Sequence, residues 1–258
     1  MNPLRPQSGI PPGLRGVARW CVLAAALCLA VPRPGACEPA LDEAVARLRE
    51  AQCAYDEVQD YVAVLHRQER VRGELQAPEV IRLKFRKPFQ VYLKWIGEAH
   101  AGRELLYAEG WNGNRLMAHE GGVLGFITLS LDPGGALALR HSRHPVTDTG
   151  IGRMLEVVSE SMHRAVAAGE LEIVDVRTHA VYGRRARRIE GRLPADPGKA
   201  YYAARVVMDF DLESKLPIQI AIYDAEDRLT EKYGYEHLQL NVGLTELDFE
   251  PTNPDYRF

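Results

Sequence analysis

The stretch HSRHPVTDTGIGRM, His141 to Met154, gathers residue types that could do chemistry. His141 and His144 stand three apart with Asp148 behind them, and two imidazoles with a carboxylate would suit a divalent metal, which wants three or four such ligands at coordinating spacing. Pro145 argues against that use. A proline drives the residue before it out of helical conformation, so the two histidines cannot share a helical ligand face. Asp148 and Thr149 stand just ahead of an apolar stripe that begins at Ile151. Either side chain could accept a hydrogen bond from the unpaired N–H groups of a first helical turn. The stretch therefore reads as a capped helix start, with Gly150 and Gly152 allowing a tight turn, and no metal is expected.

Other catalytic patterns are missing from the sequence. It has no Gly-x-Ser-x-Gly elbow, no phosphate-cradling glycine loop and no zinc-protease helix. Ser130, Ser142, His119 and Asp209 could assemble in space, but their spacing does not join them. No catalytic residue and no cofactor is expected.

The first 36 residues differ from the rest. They hold Arg5, Arg15, Arg19 and Arg33, no acid, and the apolar run WCVLAAALCLAV from Trp20 to Val31, followed by small residues. A positive start, a short apolar core and a small-residue exit mark a secretory signal peptide over residues 1–36, cleaved near Ala36 and Cys37. The run is shorter than the roughly 20 residues of a membrane-spanning helix. Export to the periplasm is the expectation. Cys37 follows Gly35 and Ala36, where a lipoprotein cysteine would stand, but Pro34 replaces the usual aliphatic residue, so a lipid anchor and simple cleavage both stay open. Without Cys21 and Cys28 no disulfide framework remains, and Cys53 reads as a small buried hydrophobe in a helix. Removal of the leader lowers the 32 basic residues by four to 28, against 35 acidic ones. That balance argues against nucleic acid or a bare anionic membrane as the main partner. Membrane contact would be transient unless Cys37 is lipidated.

Residues 37–258 read as one domain. Leu41, Ala44, Val45, Leu48, Ala51 and Tyr55 make one helical stripe, and Pro39 suits the first turn. From Tyr61 the period changes to two. Ile81, Leu83 and Phe85 alternate with Arg82, Lys84 and Arg86 in a half-buried strand that Pro88 ends. VYLKW and RELLYA follow, and Asn112-Gly113 signals a hairpin before RLMAH and VLGFITLSL. Ile151, Met154, Leu155, Val158, Met162 and Ala165 return to helical spacing, with Gly169 placed to end the helix. Strands then resume to the end. RRARR, Arg184 to Arg188, reads as an exposed strand face or, alternatively, a specific anion site. The sum is an α+β fold: a strongly curved antiparallel half-barrel of about ten to eleven strands, with helices covering its concave face. Trp95, Tyr107, Trp111, Phe126, Tyr201 and Tyr202 would either line a cavity there or fill the core.

The segment from Ala204 to Pro251 has a strand with Asp209, a turn, Leu216-Pro217, a strand ending at Asp224, the strand YGYEHLQLN and Asp248-Phe249. This order resembles the outer-membrane lipoprotein carrier superfamily, which includes periplasmic lipoprotein carriers, mycobacterial lipid-binding lipoproteins and a sigma-factor regulatory sensor. HPVTDTGIG together with LDFEPTNPDYRF is more closely similar to an uncharacterised secreted bacterial family, domain of unknown function 1571, over Leu41 to Phe258. The resemblance implies a curved antiparallel half-barrel, helices plugging its concave side and an apolar cavity between them. Carriers use an arginine on the sheet to handle lipoprotein, and no arginine of this chain can be matched to it.

Function is then expected to be non-enzymatic binding or transport of a hydrophobic ligand, a lipid or a lipoprotein acyl chain. The candidate lining residues are Ile81, Leu83, Phe85, Leu93, Trp95, Ile218, Ile220 and Ile222, provided their parity faces the helices. The alternatives are an envelope sensor that binds a protein partner and, last, a hydrolase with a dispersed site.

Overall fold

The computed structural model describes residues 38–122, 127–199 and 201–258. The segment expected to be a leader, with Cys21 and Cys28, lies outside them, as do Cys37 and Phe126. Helix α1 (Glu38–Asp56) leads into strands β1 (Asp60–Val71), β2 (Glu74–Leu75), β3 (Glu79–Arg86), β4 (Gln90–Trp95), β5 (Glu104–Ala108), β6 (Leu116–His119) and β7 (Thr128–Leu131). Helix α2 (Ile151–Ala167) follows, then β8 (Glu172–Val181), β9 (Arg184–Arg192), β10 (Arg205–Asp211), β11 (Pro217–Tyr223) and β12 (Leu229–Leu240). The strands form one sheet of twelve in the order β7-β6-β5-β4-β3-β1-β12-β11-β10-β9-β8, with β2 paired to β1 off that path. Every pairing is antiparallel. The sheet is open, as expected of a half-barrel, and has slightly more strands than the sequence suggested.

This order explains where α2 lies. The chain leaves the sheet at the β7 edge and re-enters it at the opposite edge, β8. The segment between them has to cross a face of the sheet, and an amphipathic helix can do so while burying its apolar stripe. Ile151, Leu155, Ser159 and Ala165 are its buried residues. Gly169 (φ +67°) ends the helix, with its N–H on the Val166 carbonyl and the Glu170 N–H on Ala165.

Strand parity fixes the inner face. Tyr61, Ala63 and Leu65 of β1 lie opposite Phe85, Leu83 and Ile81 of β3, which in turn lie opposite Val91, Leu93 and Trp95 of β4. On the other half, Ile220 and Ile222 of β11 face Met208 and Val206 of β10. These residues and the buried stripe of α1, Ala44, Leu48 and Ala51, belong to one apolar cluster. The outer face carries a second, smaller one. Tyr92 and Leu106 are covered there by Phe249 and by Tyr256, whose ring stacks on Tyr92 at 3.8 Å.

Local readings need correction at two points. The N-cap of α2 is Gly150, which has no side-chain cap, while Asp148 belongs to a preceding single 3-10 turn, Val146–Asp148. Neither Asp148 nor Thr149 caps the helix. Instead the Ile151 N–H donates to the hydroxyl of Tyr61, a fully buried residue of β1, at 3.1 Å. Gly150 is required for this approach: its φ is +117°, and a Cβ there would lie 2.8 Å from the Tyr61 oxygen. Cys53 is exposed rather than buried. The inward stripe of α1 runs through buried Ala51 and part-buried Tyr55, which turns Cys53 to the solvent side.

RRARR is mostly engaged. Arg187 makes a two-pronged contact with Glu43 of α1 (2.6 and 2.8 Å), Arg188 with Asp209 (2.8 Å each), and Arg184 meets Asp211 at 3.0 Å. The run joins helix to sheet and strand to strand, with Ala186 and Ile189 buried between.

Candidate functional site

Between the inner face of the sheet and α2 lies a cavity of about 470 Å³. Leu65, Leu93, Ile220 and Ile222 form its sheet wall, and Met154, Val157 and Val158 its helical wall. An almost wholly apolar recess of about 80 Å³ continues from it towards α1, sharing Val157, Val158 and Ile222 and reaching Leu48, Met208 and Phe210. A further cavity of about 410 Å³ lies under the segment between β7 and α2, walled by Leu93, Trp95, Leu105, Leu116, Leu131 and Val146 among others. The two larger cavities have Arg67, Leu93, Ser142, His144 and Thr149 in common.

The eight candidate residues of the sequence divide accordingly. Leu93, Ile220 and Ile222 border the 470 Å³ cavity, and Leu93 and Trp95 the 410 Å³ cavity. Ile81, Leu83, Phe85 and Ile218 share their cluster, are at most 3 % exposed and line none of the three spaces. They are packed against other side chains.

A polar cluster that periodicity did not single out stands where the cavities meet. Arg67 donates from Nε to Glu79 at 2.6 Å, and the Trp95 indole N–H donates to the other Glu79 oxygen at 2.9 Å. Glu69 accepts from the Tyr233 hydroxyl at 2.5 Å and from the Arg143 backbone N–H at 2.9 Å. Glu231 accepts from Arg143 Nε at 2.8 Å and from the Tyr202 hydroxyl, with His144 Nε2 at 3.1 Å. The three glutamates are nearly buried. Such groups are tolerable only when paired. Burial pushes the Glu231 carboxyl up, yet the bonds from His144 and Tyr202 and the Arg143 charge outweigh it and hold the group below the ordinary range. Glu79 is likewise held low, burial opposing and the charge and bond of Arg67 prevailing. The signal for this cluster was present as a break in parity: Arg67 and Glu69 occupy β1 positions of the same parity as Leu65, and Glu231 that of Tyr233 and Tyr235.

The opening histidines have different partners. His141 lies beside His100, ring centroids 5.0 Å apart. His144 ties the segment before α2 to β12, and its bond to Glu231 raises its pKa. The groups facing it are Glu231, Glu69, Arg143, Asp148 and Tyr202. A raised histidine pKa contributes stability that is complete below the unfolded value, about 6.5, and is lost as pH rises through the folded value. Resistance of the protein to urea is therefore expected to fall as pH rises above about 6.5, and His144→Gln to flatten the dependence there. An unchanged pH profile in the variant would refute the pairing.

Residues 58–258 match the model of a family described as Protein of unknown function (DUF1571). The chain belongs to that family. No curated protein matches it. Among solved structures it resembles the lipoprotein LppX of Mycobacterium tuberculosis, with 13% identity, a TM-score of 0.46, and coverage of 81% of this chain and 98% of that one. It also resembles the Pseudomonas aeruginosa MucA/MucB complex, with 14% identity, a TM-score of 0.46, and 82% of this chain on 60% of that one. A DUF1329 family protein from Desulfovibrio piger matches at 14% identity and a TM-score of 0.37, over 83% and 96% of the two chains. At these identities and TM-scores the likeness says nothing of function.

Proposed function

We propose that this DUF1571 protein is exported and binds a hydrophobic ligand, a lipid or a lipoprotein acyl chain, in the space between sheet and helices, without catalysing a reaction on it. The observation that carries the reading is the 470 Å³ cavity, whose lining joins apolar side chains of the sheet and α2 to charged ones such as Arg67, Glu69, Arg153 and Glu231, together with its almost wholly apolar extension. Small-molecule sites run from about 300 to 1,000 Å³. Each methylene moved there from water contributes ~0.8 kcal/mol, so an acyl chain gains affinity steadily with length. Leu93, Trp95, Ile220 and Ile222 touch the ligand in this reading, while Ile81, Leu83, Phe85 and Ile218 hold the wall behind them. Two of the carboxyls nearby are poorly suited to acid–base work. The Glu79 and Glu231 carboxyls are held ionised by fixed partners, whereas a general acid or base works best with a pKa near the operating pH.

Native mass spectrometry of the chain purified gently from cell envelopes provides the test. A lipid adduct released on collisional activation is the expected result. A bare polypeptide mass, together with no uptake of a fluorescent fatty acid, would end the proposal.

A further inference from the structure

The charged side chains around the two larger cavities are unevenly divided. Those of the 470 Å³ cavity are Arg67, Arg153 and Arg164 with Glu69, Asp148, Glu160 and Glu231, so acids outnumber arginines. Those of the 410 Å³ cavity are Arg67, Arg103 and Arg140 with Glu120 alone. His144 borders both and lies against Glu231. One cavity is therefore acidic on balance and the other basic.

Two of the arginines on the basic side are already engaged. Arg67 donates to Glu79 at 2.6 Å and Arg103 to Glu120 at 2.9 Å. Both guanidiniums also lie over the Trp95 ring, 5.6 and 5.5 Å from its centroid. Arg140 differs. It belongs to the 3-10 turn Ala138–His141, it is exposed, and its side chain has no ion pair or hydrogen bond among the described residues. The positive surplus reaches its neighbours. Burial, and after it the charge of Arg103, holds the pKa values of His100 and His141 below the ordinary histidine value, and Arg140 adds to the effect on His141. Both imidazoles are thus neutral near pH 7, and Arg140 is the charge left over. A guanidinium fork matches the geometry of a carboxylate or phosphate. Leu105, Leu116, Leu131 and Trp95 offer apolar surface behind it.

Resting on the binding function proposed above, we infer that the ligand is a single-chain amphiphile with an oxyanion head, held by Arg140 at the 410 Å³ cavity while its chain lies against the apolar walls. Carboxylate and phosphate heads share this chemistry.

The test uses dodecanoate, dodecyl phosphate and dodecanol as competitors of an uncharged fluorescent naphthylamine dye on the full chain at neutral pH. Arg140→Glu replaces one attraction by one repulsion, each worth up to about fivefold at an exposed site. It is expected to weaken the two anions by at least about fivefold and to leave dodecanol within about twofold. Arg140→Lys keeps the charge and should retain most of the anion affinity. Added salt should weaken the anions in the unaltered protein and not the alcohol. A stronger response of one anion than the other names the head and supports the site. Anion affinities untouched by Arg140→Glu would overturn the site while leaving hydrophobic binding intact. A loss shared equally by dodecanol would overturn it too, since charge would then play no part. Failure of the dye and of every competitor on the unaltered protein would remove both readings together.

Discussion

Replacing Asp209 with alanine is expected to lower the free energy of unfolding by about 3 kcal/mol, the lower end of the cost of breaking a buried ion pair. Asp209 is fully buried on β10. Both its oxygens take N–H bonds from Arg188 at 2.8 Å, one also meets His179 at 2.6 Å, and the other accepts from Gln219 at 2.8 Å. One carboxylate therefore joins β8, β9, β10 and β11. Its removal leaves a guanidinium and an amide without their acceptor, though Arg188 and His179 reach partly into solvent, which moderates the cost. Burial raises the Asp209 pKa, but the bonds from Arg188 and His179 prevail and the net shift is downward. A lowered carboxyl pKa gives stability that is present above the unfolded value, about 3.9, and lost as pH falls through the folded one. Urea titrations should therefore show the variant and the unaltered protein converging at acid pH. A loss below about 1 kcal/mol at neutral pH would show that the hub does not carry this weight.

The same residue shows what sequence can and cannot convey. Asp209 was visible as an acid within an apolar strand, a candidate for chemistry with no partner in sight. Its partners lie 10, 21 and 30 positions away, joined only by strand pairing. Periodic features fared better because they are local. Ile81, Leu83 and Phe85 alternate with three basic residues, and their strand is buried on alternate positions as that spacing requires. The helix from Ile151 and its end at Gly169 were legible for the same reason. Its start was not: local rules offered Asp148 and Thr149, whereas the first N–H is met by Tyr61, 90 positions earlier. Nor does alternation distinguish a side chain facing a cavity from one facing another side chain. Leu83 and Leu93 lie directly opposite each other on neighbouring strands, yet only Leu93 borders open space. What decides that is which side chains from elsewhere in the chain pack over each position, and the sequence of a strand does not encode it.

Its place on both spaces makes Val158 the most informative position for the binding reading. Val158 lies half-buried on α2 and borders both the 470 Å³ cavity and its apolar extension. Val158→Trp would project an indole into the space assigned to the ligand, and the void is large enough to take it without forcing α2 from the sheet. Displacing about four methylenes of ligand at ~0.8 kcal/mol each removes about 3 kcal/mol of binding, roughly a hundredfold in affinity. Stability should hold or rise, since the indole fills a void next to apolar walls. The opposite pairing, unchanged affinity in a well-folded variant, would place the ligand elsewhere on the molecule. Fluorescent acyl-probe titration beside urea unfolding of the same sample reads both quantities. A drop in affinity accompanied by an equal drop in stability would point instead to displacement of α2, because only a filled cavity weakens binding while leaving the fold secure.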